Sequence, residues 1–389
     1  GMPDILGYKF FTGLPFMYKR LVVSLFISLS LFACSESKPP IIVQQESESI
    51  VSHGKWILDE NGQVMADPQT SGLIAFQGQL VSISDGSALE AQQRKLHFIA
   101  PDSPTLTGSS NSFSLSSRVK RSCFNAYLTN APDLEALAVD PRNPNVLYTV
   151  TEDATRTGTF SSRCEKKYED TGSTDYPTLL VRLERDDSGK VEMTHVRPLQ
   201  YALSMEVGNF PNDGIEGMAM DDSGTLYLAL EKDKAGQPRI FSLVIDDEFW
   251  THTGFAAVEE PSLTLPSFAS GAHPINGLTL YTPPQSTDTF LLAAARNDDE
   301  LWIIDTDNNV DTKRVPLSFV VDTTNACEPY TMDNASIEGL AVIDNTLWLV
   351  NDPWKKNYLK NITCDGESAA YQAYAPLLFS LPLKDAWFH

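Results

Sequence analysis

Leu134-Glu135-Ala136-Leu137-Ala138-Val139, Ile215-Glu216-Gly217-Met218-Ala219-Met220, Ile275-Asn276-Gly277-Leu278-Thr279-Leu280 and Ile337-Glu338-Gly339-Leu340-Ala341-Val342 are four versions of one phrase. Each is followed by a turn and a second apolar run that ends in polar residues, at Leu147 to Asp153, Leu226 to Asp233, Phe290 to Asp298 and Leu347 to Asp352. A degenerate fifth copy, Gly72 to Phe76 then Leu80 to Asp85, carries Ser71 where the acid or amide stands elsewhere. The key positions 71, 135, 216, 276 and 338 are spaced 64, 81, 60 and 62 residues apart. Repeats of this length built from short strands predict stacked or radially arranged sheets.

Inside the phrase, large residues alternate with small ones. Leu137 and Val139, Met218 and Met220, Leu278 and Leu280, and Leu340 and Val342 oppose Ala136 and Ala138, Gly217 and Ala219, Gly277 and Thr279, and Gly339 and Ala341. A period-two strand that is apolar on both faces is buried on both faces. The innermost strand of a β-propeller blade, wedged between neighbouring blades, has that environment. Third strands are expected at Leu179 to Leu183, Ile240 to Ile245, Leu301 to Ile304 and Leu377 to Leu381. The reading is therefore an all-β propeller with five visible blades. A sixth would have to sit in the 81-residue gap or at the junction of the termini. Closure is expected from residues near Trp56 to Leu58 pairing with the last blade, because an unpaired edge is a liability.

The segment from Met17 reads as a bacterial lipoprotein signal: Lys19 and Arg20, an apolar run from Leu21 to Phe32, then Ala33 before Cys34. The run is short for a spanning helix and has the charge, apolar and small-residue order of a cleaved leader. Residues 1–33 are thus expected to be an extension plus signal peptide, 34–53 a lipidated Cys34 and flexible tether, and 54–389 one propeller domain. That places the protein in the bacterial cell envelope, anchored by lipid on the periplasmic side of the outer membrane.

With Cys34 set aside, Cys123, Cys164, Cys327 and Cys364 remain, and four cysteines allow three connectivities. Cys123 and Cys164 flank Glu135 as Cys327 and Cys364 flank Glu338, so the repeat favours Cys123–Cys164 and Cys327–Cys364. Each pair closes a loop worth roughly 4 kcal/mol in the chain-entropy model. No Cys-x-x-Cys pair supports a zinc site.

The chain carries 51 acidic and 29 basic residues, a net charge of −22. Residues 1–33 contribute Lys9, Lys19 and Arg20 against Asp4, so the remainder stands at −24. Such a balance without a basic stripe argues against nucleic acid as a partner and against electrostatic attraction to an anionic membrane. A monomer acting on a small molecule is expected.

In a propeller, inner strands start and return strands end on one face. Glu135, Glu216, Asn276 and Glu338 should therefore ring the channel mouth, with Glu152, Asp153, Glu231, Asn297, Asn351 and Asp352 one strand further out. Crowded carboxylates need a counter-charge. Calcium, with six to eight oxygen ligands, supplies one. Pairing with Lys or Arg, or separation in a wet channel, is the other arrangement. The phrases Gly214 to Ala219 and Ser336 to Ala341, each followed by Leu226-Tyr227-Leu228 or Leu347-Trp348-Leu349, resemble the phytase-like ("esterase-like activity of phytase") propellers. They are more distantly similar to the gluconolactonase and paraoxonase propellers. The resemblance implies a catalytic calcium held by acids and amides at this blade position, here Glu216, Asn276 and Glu338, with Glu135 beside them.

His273, three residues before Asn276, is the best-placed histidine for a general base. Esterase, lactonase or phosphoesterase chemistry would follow. Phytate itself fits poorly, because a strongly acidic protein must hold a strongly anionic substrate. Arg239, Arg296, Lys232, Lys234, Lys355 and Lys356 are the candidate local cations, read as solvated loop charges. The alternative is a non-catalytic ligand- or protein-binding propeller with a structural calcium, using Trp302, Trp348, Trp354 and Tyr358 as an aromatic face.

Overall fold

Five antiparallel hairpins start at the five repeated phrases and dominate the architecture. The structure, a computed structural model, describes residues 48–152, 160–173, 177–208, 214–322 and 327–389. The expected leader, lipid-bearing Cys34 and most of the tether lie outside these residues, as does Asp153. The inner and return strands pair as Thr70–Phe76 with Gln79–Ser84, Leu134–Val139 with Val146–Thr151, and Ile215–Met220 with Thr225–Leu230. Gly277–Tyr281 pairs with Phe290–Ala295, and Ile337–Ile343 with Thr346–Asn351. A third antiparallel strand extends every hairpin: His97–Ala100, Thr178–Arg185, Arg239–Val244, Glu300–Asp305 and Leu377–Pro382.

The inner strands close a ring. Leu134–Val139 packs on Ile215–Met220, that on Gly277–Tyr281, that on Ile337–Ile343, that on Thr70–Phe76, and the last on Leu134–Val139 again. The small side of the phrase permits the approach. A Cβ added to Gly339 would stand 2.7 Å from the Leu73 nitrogen, and one on Gly217 about 3.0 Å from the backbone of Gly277 and Leu278. A Cβ on Gly72 would meet the Leu137 nitrogen at 2.9 Å. Between neighbouring strands, large residues fill what small ones leave. Met218 and Met220 cluster with Ala136 and Ala138, Leu278 and Leu280 with Ala219, and Leu73 with Ala341. The first strand departs from this beyond Gly72, since Ile74 and Phe76 share a cluster with Leu137 and Val139. The expectation of strands buried on both faces holds for four of the five inner strands, whereas Thr279, Leu280 and Tyr281 of the fourth are half-buried, and the result is a β-propeller-like fold.

Ring closure comes from the N-terminal strand Ile50–Trp56. It runs antiparallel to Leu377–Pro382, with Trp56 opposite Leu377 and His53 opposite Ser380. On its other edge it runs parallel to Lys313–Val321, opposing Gly54 to Val321. One segment thus covers two sheet edges that would otherwise be open. The strand begins at Ile50, four residues before the expected domain boundary at 54.

Cys123–Cys164 and Cys327–Cys364 are bonded, with Cα separations of 5.7 and 6.1 Å. Each links the segment before an inner strand to the excursion after its return strand, as the repeat implied.

The contacts at Gly339 carry a prediction. Gly339→Ala should destabilise the protein by about 1–3 kcal/mol, because the methyl meets backbone that has no rotamer to yield. Urea denaturation followed by intrinsic fluorescence measures this. A midpoint equal to wild type would mean the ring has slack at this contact.

Candidate functional site

A β-bulge sets the position of each acid. Leu134 opposes Thr151 and Ala136 opposes Val150, which leaves Glu135 unopposed. Glu216 is skipped in the same way between Ile215 and Gly217, and Glu338 between Ile337 and Gly339. The first strand shifts register across Ser71 and Gly72. A bulge bends the strand and re-aims the extra residue. It also interrupts the period-two count, so the acid's side cannot be read from Leu137 or Met218 by alternation.

A second tier follows directly from the return strands. The residue after each strand end is Asp85, Glu152, Glu231, Arg296 or Asp352. In four repeats its N–H donates to the carbonyl two residues before the first-tier position. The pairs are Asp85 to Gln69 (2.9 Å), Glu152 to Asp133 (3.1 Å), Glu231 to Gly214 (2.8 Å) and Asp352 to Ser336 (2.8 Å). All five line one basin of about 470 Å³ together with Ser71, Asp133, Glu135, Glu216 and Glu338. Trp354 stands at its wall and is 43% exposed.

Among the described residues, eight acids and one guanidinium therefore meet in this basin. Two sets of carboxylates each converge within 4.8 Å: Asp133, Glu135 and Glu152, and Glu152, Glu216 and Glu231. Glu152 belongs to both. Burial, followed by the neighbouring charges of Asp133 and Glu152, drives the Glu135 carboxyl well above the ordinary range. Burial and then Glu135 and Glu231 do the same to Glu216. Asp85 is pushed up to about 6 by burial and the nearby Asp133, against hydrogen bonds from Ser87.

Glu338 is held differently. Arg296 donates to its Oε1 and, at 3.1 Å, to Glu231 Oε1. Burial still raises Glu338 overall, with Arg296 opposing. Burial works against the charge on Arg296, yet Glu338 and Glu231 outweigh it and keep the guanidinium protonated. Glu338 Oε2 and Asp352 Oδ1 are buried without a hydrogen-bond partner. Such oxygens are costly unless something else satisfies them.

The four sequence-derived ligands are thus divided. Glu135 and Glu216 flank Glu152, and Glu338 is bridged by Arg296. Asn276 is fully buried, with neither Oδ1 nor Nδ2 partnered, and is not among the residues lining the basin. Ser71 lines the basin and donates its hydroxyl to the Leu134 carbonyl. His273 is also not among the lining residues. Its Nδ1 meets the Asp298 carboxylate at 3.0 Å, its Nε2 meets the Ser270 carbonyl at 2.7 Å, and its ring stacks on Phe268. Partial desolvation opposes its protonation, but Ser270 and Asp298 raise its pKa.

Arg296 is not the solvated loop charge expected of it, since it is the basin's own counter-ion. Lys355 pairs with Asp67 at 3.0 Å, and Arg239 with Glu260 at 2.8 Å and Asp233 at 3.2 Å. Asn297 is exposed and donates to the Ala272 carbonyl, whereas Asn351 is buried and bonds the Leu377 N–H at 2.7 Å. Trp302 is wholly buried, so it takes no part in an aromatic face. Sequence reasoning missed Asp85 and Asp133 as site residues. The signal for Asp85 was present, because it occupies the same place after its strand as Glu152, Glu231 and Asp352.

No family model matches the chain, and no curated protein does. Among solved structures, the major allergen Mala s 1 of Malassezia sympodialis aligns at 10% identity and a TM-score of 0.38, covering 82% of this chain and 94% of that one. A protein described as a "putative exo-beta-1,3-galactanase" from Bifidobacterium bifidum s17 aligns at 10% identity and a TM-score of 0.46, covering 86% and 94%.

The buried acids give a pH dependence of definite sign. A carboxyl whose pKa is higher folded than unfolded binds more protons in the folded state. Its contribution to stability therefore falls as pH rises from about 4 through the folded value. In chelator, the basin acids should make the protein lose stability from about pH 4 through pH 6 and above, and Glu216→Gln should flatten part of that slope. Thermal melts across this range decide it, and parallel slopes for variant and wild type would refute it. Arg296→Met should cost about 3–5 kcal/mol in chelator, since it leaves Glu338 and Glu231 without their cation. A thermal shift near zero would deny the guanidinium its role as counter-ion.

Proposed function

We propose that this protein is a five-bladed propeller whose channel mouth binds a divalent cation and hydrolyses ester bonds in small molecules. The observation that carries the reading is the convergence of two carboxylate triads on Glu152 in a basin whose described lining holds eight acids. An all-oxygen donor set without sulfur or imidazole suits calcium better than zinc or copper. Asp133, Glu135, Glu152, Glu216 and Glu231 would hold the ion. A bound dication polarises a carbonyl or phosphoryl oxygen and acidifies a bound water.

The chain's own residues supply the rest. Arg296 offers a fixed guanidinium to a substrate oxygen. Trp354 presents an apolar wall to the organic part of the substrate. His273 has both ring nitrogens engaged and is a weak choice of base. Lactones and carboxylic esters fit this basin better than phytate, whose charge eight acids would repel. The likeness of the Ile-Glu-Gly phrases to phytase-like propellers agrees with hydrolysis, and the lipoprotein-type leader agrees with attachment on the periplasmic side of the envelope.

A non-catalytic binding propeller with a structural calcium is the second reading. The guanidinium bridge on Glu338 favours it, because that acid is already satisfied on one oxygen without an ion.

Calcium should raise the melting temperature relative to chelator. At 100 times its Kd, a ligand bound only by the native state stabilises by about 2.7 kcal/mol. Glu152→Gln should reduce this stabilisation more than any single change elsewhere in the basin, because both triads lose a member. Calcium-dependent hydrolysis of a nitrophenyl ester or a lactone, lost in Glu152→Gln, would support the enzyme. Calcium binding with no turnover of either would leave the binding reading, and identical melts in calcium and chelator would remove both.

A further inference from the structure

The charged side chains lining the cleft beside Cys123–Cys164 are of opposite sign to the net charge of the molecule. We infer that the cleft beside this disulfide is a binding site for a small organic phosphate, a phosphomonoester with an aromatic or aliphatic group. The cleft, of about 600 Å³, is lined by Arg118, Arg121, Arg163 and Lys167 and, among the described residues, by no carboxylate. In a chain with 51 acidic against 29 basic residues, such a composition runs against the background. Among the described residues, none of these four cations forms an ion pair with an acid.

The site is held in place. Arg118 and Arg121 come from the turn Ser117–Lys120 and its end, which Ser116 caps by accepting from the Val119 N–H at 3.2 Å. Arg163 and Lys167 come from Ser162–Lys167, capped by Ser161 through the Cys164 N–H at 3.2 Å. The disulfide joins the two segments, so cations far apart in sequence share one cleft. Arg118 donates to the Trp250 carbonyl, which fixes its guanidinium, while Lys167 lies 5.0 Å above the Tyr168 ring. Phe124 and Tyr168 form a buried apolar wall, and the Tyr168 hydroxyl donates to the Thr253 carbonyl at 3.0 Å.

Three guanidiniums and an ammonium match a phosphate dianion, and planar guanidiniums give it paired N–H donors. The apolar wall gives the ester's organic part something to contact. The overall negative charge is no obstacle at physiological salt, where a Debye length of about 8 Å screens acids beyond the cleft. This site is independent of the proposed cation basin.

Calorimetric titration with phenyl phosphate in the presence of chelator tests the inference while excluding capture of phosphate by a metal in the basin. Saturable binding is expected, with phenyl phosphate bound more tightly than inorganic phosphate. The double variant Arg121→Gln/Arg163→Gln should weaken binding by about tenfold or more, as loss of two charge-assisted contacts requires. Its melting temperature should stay near that of wild type, because both side chains are exposed. Glu216→Gln in the basin should bind phenyl phosphate as wild type does. Failure to saturate, or equal affinity in wild type and the double variant, would overturn the site whatever the basin proves to do.

Discussion

Five strands can meet around one axis only if their backbones come close, and the fold depends on that approach. Gly72, Gly217, Gly277 and Gly339 lie where a neighbouring strand leaves little or no room for a Cβ. Ala136 shows that a methyl fits at one of the five positions. The large residues on the other side of each strand then fill the wedge that opens outward. Propeller-like geometry follows from this pairing of small and large more than from any single cluster, because it recurs between successive inner strands; the contact of Ile74 and Phe76 with Leu137 and Val139 is the departure.

The same convergence creates the electrostatic problem at the mouth. Bulges aim the first-tier acids inward, and the ends of the return strands add a second tier only one strand away. Burial removes water from carboxylates that are already near one another, so their protons are held more tightly than in solution. One guanidinium, Arg296, neutralises a fraction of this charge and does so for Glu338 and Glu231 in particular. Among the described residues that line the basin, Arg296 is the one cation, against eight acids. An uneven distribution of this kind is what a cation site requires, and it is also a source of instability without one.

The disulfides act on a different part of the structure. Each braces an excursion outside the ring, at equivalent places in two repeats. Around Cys123–Cys164 the braced segments bring basic residues together, so the molecule carries a positive cleft and an acidic basin built by separate devices. Charge is thus patterned locally even though the total is strongly negative.

Much of this was legible in the sequence. The repeat of Ile-Glu-Gly and its variants gave the strand order, the equivalence of the five hairpins, the closing role of the N-terminal strand and the pairing of the cysteines, because each is a matter of period and spacing along the chain. Glu135, Glu216 and Glu338 were identifiable as positions that share one end of the ring. Which acids truly neighbour one another was not. Bulges break the alternation on which side-chain direction is read, so the triads around Glu152 and the inclusion of Asp133 appear only when the strands are folded against each other. The pairing of Arg296 with Glu338 and Glu231, 42 and 65 residues away, is likewise a product of ring closure. Local periodicity determined the elements and their order; the distances between charges on different repeats were decided by how closely the glycines let those elements pack.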